Sequence, residues 1–134
     1  MADNNKSKHL HLYIEELDSL PSYTDDEIYE AKTRAIAGDD KEAEAVLMNH
    51  YLKDVVDMAK LYEYQEIPAE DLIGEGNIGL MTAIRALTTL ESPDEVDSFV
   101  GKMIMDAMDQ AVYEEIDMKL REEGVDPKDD QEET

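Results

Sequence analysis

Apolar residues recur at intervals of three and four along most of the chain, which is the period of a helix buried on one face. Leu10, Tyr13, Ile14 and Leu17 form one such stripe between about His9 and Leu20, and Pro21 stops it. Thr24-Asp25-Asp26-Glu27 has the spacing of a capping box, in which a hydroxyl and a carboxylate satisfy the unpaired N–H groups of a helix start. That second helix is expected to end at Gly38. From Asp39 to about Tyr62, the positions Ala43, Leu47, Tyr51, Val55, Met58, Ala59 and Tyr62 predict a long core-facing helix. A fourth helix is expected from Pro68 to about Leu87. Ser92-Pro93-Asp94-Glu95 opens a fifth, whose inward face is Val96, Phe99, Val100, Met103, Ile104, Ala107, Met108, Ala111 and Val112, fading near Arg121. No strand or hairpin signal appears. The pattern predicts an all-α fold: one compact bundle of about five helices over residues 9–121, with a disordered N-terminus (1–8) and a disordered acidic tail (122–134) too poor in apolar area to offset chain entropy.

The fourth helix is interrupted by three glycines, Gly74, Gly76 and Gly79. As a string, Gly74-Glu75-Gly76-Asn77-Ile78-Gly79 matches the G-x-G-x-x-G phosphate cradle, but that cradle needs a buried strand before it. Ile67-Pro68-Ala69-Glu70-Asp71 offers instead a proline and first-turn acids, which begin a helix. A nucleotide site is therefore not expected. Each glycine inside a helix costs about 1 kcal/mol relative to alanine, so these need another reason, and close packing against a neighbouring helix is the simplest for Gly76 and Gly79.

Charge changes the picture further. The 134 residues carry 35 acidic and 12 basic side chains, a formal net charge of −23, which opposes approach to a phosphate backbone and suits either a basic protein partner or solubility alone. The chain has no cysteine, no apolar N-terminal run and no apolar stretch of membrane-spanning length, so a cytoplasmic location without membrane association is expected. Catalytic chemistry finds no support: there is no nucleophile motif and no H-E-x-x-H, and the acid clusters Asp39-Asp40 and Asp129-Asp130 lack calcium-loop order. His9, His11 and His50 have no acidic partners at ligand spacing. No catalytic, cofactor, metal or small-molecule site is expected, and the protein reads as a non-enzyme.

The string Asp71-Leu72-Ile73-Gly74-Glu75-Gly76-Asn77-Ile78-Gly79-Leu80-Met81, followed by Ala83, resembles the core-polymerase-binding helix, region 2.2, of the bacterial sigma-70 family. Gly74 stands where that family usually carries glutamine. Upstream, Lys53-Asp54-Val55-Val56-Asp57-Met58-Ala59-Lys60-Leu61-Tyr62, after Asn49-His50-Tyr51-Leu52, is similar to the family's N-L-R-L-V-V-x-x-A-x-x-Y helix. The segment from Leu12-Tyr13-Ile14-Glu15-Glu16-Leu17 through Ala31-Lys32-Thr33-Arg34 to Gly38-Asp39 resembles region 1.2. The resemblance implies a helical region 2 fold and attachment to the clamp coiled coil of the RNA polymerase large subunit. The residues it assigns to that contact are Asp71, Glu75, Asn77 and Met81, with Leu72, Ile73, Leu80 and Ile84 turned inward.

Past Leu87 the chain departs from the family. Sigma factors there carry an aromatic and basic stretch that stacks promoter bases, whereas this chain has Phe99 followed by Val100-Gly101-Lys102-Met103-Ile104-Met105-Asp106. Between Thr88 and Glu123, three basic residues face eleven acidic ones, a balance of −8. Phe99 and Lys102 are the DNA-contact candidates that remain, and Phe99 is expected in the core. The expected function is thus a transcription protein that keeps polymerase attachment with reduced or absent promoter recognition. Two other readings stand beside it: a sigma factor with atypical DNA binding, and an acidic interaction module or nucleic-acid mimic on the same scaffold.

Overall fold

The structure is a computed structural model that describes the backbone of residues 2–65 and 67–124, and side chains over 10–62 and 67–124. Five helices follow one another: α1 (Ala2–Asp18), α2 (Asp25–Ala37), α3 (Lys41–Ala59), α4 (Ala69–Arg85) and α5 (Val96–Glu122). Among the described residues there is no strand, so the fold is the all-α bundle that the periodicity predicts.

Local chemistry sets most of the boundaries. The Thr24 hydroxyl accepts from the Glu27 N–H while the Glu27 carboxylate accepts from the Thr24 N–H, both at 3.1 Å, closing the capping box that opens α2. Gly38 ends α2 at φ +96°, a backbone region that a side chain disfavours. The Asp40 carboxylate caps α3 by accepting from the Ala43 N–H at 2.9 Å and also grips Arg34 through Nε and Nη2 at 2.7 and 3.0 Å. One carboxylate thereby ties the end of α2 to the start of α3. The Arg34 fork, then the Ala43 N–H, hold the Asp40 carboxyl below its ordinary pKa. Beyond Ala59, α3 tightens into a 3-10 turn over Lys60–Gln65. The second capping box, Ser92 with Glu95, closes a 3-10 turn over Pro93–Glu95, and α5 begins only after it.

Two boundaries differ from expectation. Residues 2–8, expected to be disordered, are helical: no proline or glycine separates Ala2 from Leu10, and once a turn exists each added residue gains a hydrogen bond. At the other end Glu122 still belongs to α5, and residues 125–134 of the expected tail lie outside the described residues.

All five helices contribute to one core. Leu17 comes from α1, Ile28, Ala31 and Ala35 from α2, Leu47 and Val55 from α3, Leu72, Leu80 and Ala83 from α4, and Val96, Val100, Ile104 and Met108 from α5. The most extensive contact is α4 on α5, followed by α3 on α4 and α2 on α3. Gly76 and Gly79 make the first of these possible. A methyl group on Gly79 would lie 2.7 Å from the Met103 carbonyl oxygen and 2.9 Å from the Ala107 Cβ; one on Gly76 would lie 2.5 Å from the Met108 Cε and 2.7 Å from a Val55 methyl. Close helix packing is therefore the reason for two of the three glycines. Gly74 is different, with no atom within 4 Å of the position a Cβ would take.

Candidate partner-binding face

Helix α4 starts at Pro68, whose ring suits a helix entrance, and Glu70 and Asp71 complement the helix dipole in its first turn. One side of the helix buries Leu72, Ile73, Gly76, Gly79, Leu80, Ala83 and Ile84, including all four residues expected to turn inward. The opposite side presents Asp71, Gly74, Glu75, Ile78, Met81 and Thr82 to solvent. Asp71 and Glu75 are one turn apart there, and Met81 lies beyond them with 43% of its surface exposed.

Asn77 does not join that exposed face. It sits on the flank against α1, where its Nδ2 donates to the Tyr13 hydroxyl at 3.2 Å and its Oδ1 is buried without a hydrogen-bond partner. At 100° per residue, Asn77 is displaced by about a third of a turn from the line through Asp71 and Glu75, and that is the side α1 covers. Three of the four residues assigned to polymerase contact thus share a surface, and the fourth is an interhelical contact.

Ile78, which sequence reasoning passed over, stands in the middle of that surface, 58% exposed. Its signal was available: it is three residues past Glu75 and seven past Asp71, the spacing that stacks side chains on one helix face. On one side of this face a groove of about 460 Å³ separates α4 from the second half of α5. Ile67, Gly74 and Ile78 line it from one side and Ala111 and Met118 from the other, with Glu70, Asp71, Glu75, Glu114 and Glu115 along it.

The DNA-contact candidates are both engaged. Phe99 is half-buried and packs on the core. Lys102 Nζ donates to Asp106 Oδ2 at 2.7 Å within α5, so its charge is paired on its own helix. Among the histidines, His11 Nε2 lies 3.1 Å from Glu15 Oε1, an i,i+4 acidic partner that the motif reading did not include. Among the described residues no cluster of three or more His, Cys, Asp or Glu could hold a metal ion, and no helix is long and apolar enough to cross a membrane.

A second polar cluster ties α3 to the start of α5 and to α2. The buried Tyr51 donates its hydroxyl to Asp97 Oδ1 at 2.5 Å, and Lys32 Nζ reaches the same oxygen at 3.0 Å. Partial burial works to raise the Asp97 pKa, but the bonds from Tyr51 and Lys32 outweigh it and hold the carboxyl below its usual range. The Tyr51 hydroxyl is pushed up, by burial first and by Asp97 second. Asp54, nearby, is also raised: its partial burial dominates, with repulsion from Asp57 and Asp97 adding. The cluster ties α2, α3 and the start of α5 together.

No protein-family model matches the chain.

Proposed function

We propose that this chain is a sigma-70-like transcription protein that attaches to the clamp coiled coil of RNA polymerase through the outer face of α4, with reduced or absent recognition of promoter DNA. The observation that supports it most is the arrangement of one string: Asp71, Glu75 and Met81, which match the family's polymerase-contact positions, lie together on the solvent side of a single helix. Carboxylates one turn apart suit Arg or Lys on a partner helix, and Met81 adds an adaptable apolar contact. The reduced DNA function rests on the balance of −8 between Thr88 and Glu123, on the half-buried Phe99 and on the pairing of Lys102 with Asp106. Helix α5 repels phosphate where a promoter-opening factor attracts it.

The test is binding of the full chain to the isolated clamp coiled coil, beside the double variant Asp71→Lys/Glu75→Lys. The expected result is measurable affinity for the natural chain and a loss of at least about tenfold in the variant. Equal affinity of the two forms would overturn α4 as the contact, and absence of binding by the natural chain would leave the acidic interaction module as the surviving reading.

A further inference from the structure

Helix α5 is longer than the core requires. Its 27 residues span about 40 Å at 1.5 Å per residue, yet its buried residues, Val96, Val100, Ile104 and Met108, all lie in the first half. Past Met108 it continues with Tyr113, Ile116 and Met118 exposed at 53%, 47% and 50%. Large apolar side chains on an otherwise acidic helix, with no core to cover them, mark a surface for a partner.

The groove between this overhang and α4 specifies that partner by its chemistry. Its apolar lining includes Ile78 from α4 and Met118 from α5, and both are about half exposed. Carboxylates line it from both helices, Glu70, Asp71 and Glu75 from α4 and Glu114 and Glu115 from α5, and no Lys, Arg or His lines it. Apolar and acidic side chains facing each other across a groove exclude nucleic acid by charge and disfavour a second copy of a chain carrying −23. They match an amphipathic helix with an aliphatic stripe and Lys or Arg beside it. Gly74 lies along the groove with open space where a Cβ would be, which leaves room for an incoming side chain.

We propose that this groove seats a basic amphipathic helix, so that Glu114, Glu115 and Met118 of α5 act with α4 as one partner-binding surface. The identity of the occupant as a helix of the polymerase clamp rests on the attachment proposed above; the two-walled seat is the new element.

The experiment measures affinity of the full chain for the isolated clamp coiled coil by fluorescence anisotropy. Its variants are Glu114→Lys/Glu115→Lys and Met118→Ser, with Asp25→Lys/Asp26→Lys on α2 as a control of equal charge change. All substituted residues are exposed or line the groove, and circular dichroism confirms that each variant stays folded. The expected result is a loss of about tenfold for the α5 pair and of several-fold for Met118→Ser, with the control within about twofold of the natural chain. If Asp71→Lys/Glu75→Lys abolishes binding while the α5 variants stay with the control, attachment stands and the groove is overturned as its seat. If the natural chain does not bind the coiled coil, the attachment reading fails, and a Leu/Lys amphipathic peptide of about three heptads becomes the probe. Peptide affinity lost in both the α4 and α5 pairs but not in the control keeps the groove; affinity reduced equally in all three overturns it. Self-association of the natural chain that Met118→Ser abolishes also overturns it, by assigning the groove to a second copy.

Discussion

Gly79 meets the backbone of Met103: a Cβ built on the glycine would stand 2.7 Å from the Met103 carbonyl oxygen and 3.2 Å from the Ile104 Cα. A carbonyl in the first half of α5 cannot move aside as a flexible side chain can. Gly79→Ala therefore has to push α4 away from α5, and overpacking of this kind costs about 1–3 kcal/mol, more than the improved helix propensity returns. We expect a lower thermal midpoint and a lower urea midpoint for Gly79→Ala. Gly76→Ala is expected to lose stability too, but less, because one of its two close neighbours is the mobile end of Met108.

Gly74→Ala should do the opposite. With open space around it and a place on the solvent side of α4, the added methyl meets nothing while the helix gains about 0.5–1 kcal/mol. A rise in the urea midpoint with unchanged slope is the expected outcome, and a fall would mean that the face of α4 is already covered. The contrast in sign between Gly74 and Gly79, the two ends of one six-residue string, is a direct reading of which side of α4 each occupies.

The same string shows what sequence does and does not disclose. Capping residues act on backbone within three residues, so the Thr24 and Ser92 boxes could be read from spacing alone. The helical period likewise separated Leu72, Ile73, Leu80 and Ile84 from Asp71 and Glu75. That Asn77 would meet Tyr13 could not be read locally, because it depends on α1, 64 residues earlier, and a flank position becomes surface or contact only when another helix chooses a side. The groove was illegible for a similar reason: Glu114 and Met118 join Asp71 and Ile78 only after two glycines let α5 cross α4 closely. Residues 2–8 carry no stripe to predict a helix, since they extend one nucleated elsewhere.

Acid should act on the Asp97 and Asp54 sites in opposite directions. Asp97 has a folded pKa below its unfolded value, so its contribution is fully present above about pH 4 and drains away as pH falls through the lower folded value. Asp54 has a raised folded pKa, so its charge weakens the fold at neutral pH, and protonation below the folded value removes that penalty. Asp97→Asn is therefore expected to lower the urea midpoint at pH 7 and to lose most of that effect near pH 2. Asp54→Asn should raise the midpoint at pH 7 and match the natural chain at low pH. Urea titrations of the three forms at pH 7 and at low pH check both signs against a shared background of other carboxylates.

Asn77→Ala separates a partner contact from an interhelical one. The substitution removes the donor to Tyr13 and leaves that hydroxyl on the flank of α1, at a cost of about 1 kcal/mol. Hydrogen exchange in α1 should accelerate, while affinity for the clamp coiled coil stays within about twofold. A tenfold loss of affinity with α1 protection intact would restore Asn77 to the contact surface.

The electrostatics of α5 bear directly on DNA binding. Nonspecific binders hold DNA at about 10⁻⁴–10⁻⁶ M by neutralising phosphates, and affinity then falls steeply as salt rises. Lys102, the one basic residue in the first half of α5, is committed to Asp106 at 2.7 Å, and eleven acids between Thr88 and Glu123 surround the three bases there. Binding to promoter duplex or to its separated strands is expected to be weaker than the nonspecific range at physiological salt, and Lys102→Ala should not change it. Micromolar affinity with a steep salt slope would require a phosphate-binding surface elsewhere in the chain, and would move the reading toward a sigma factor that opens DNA by other residues.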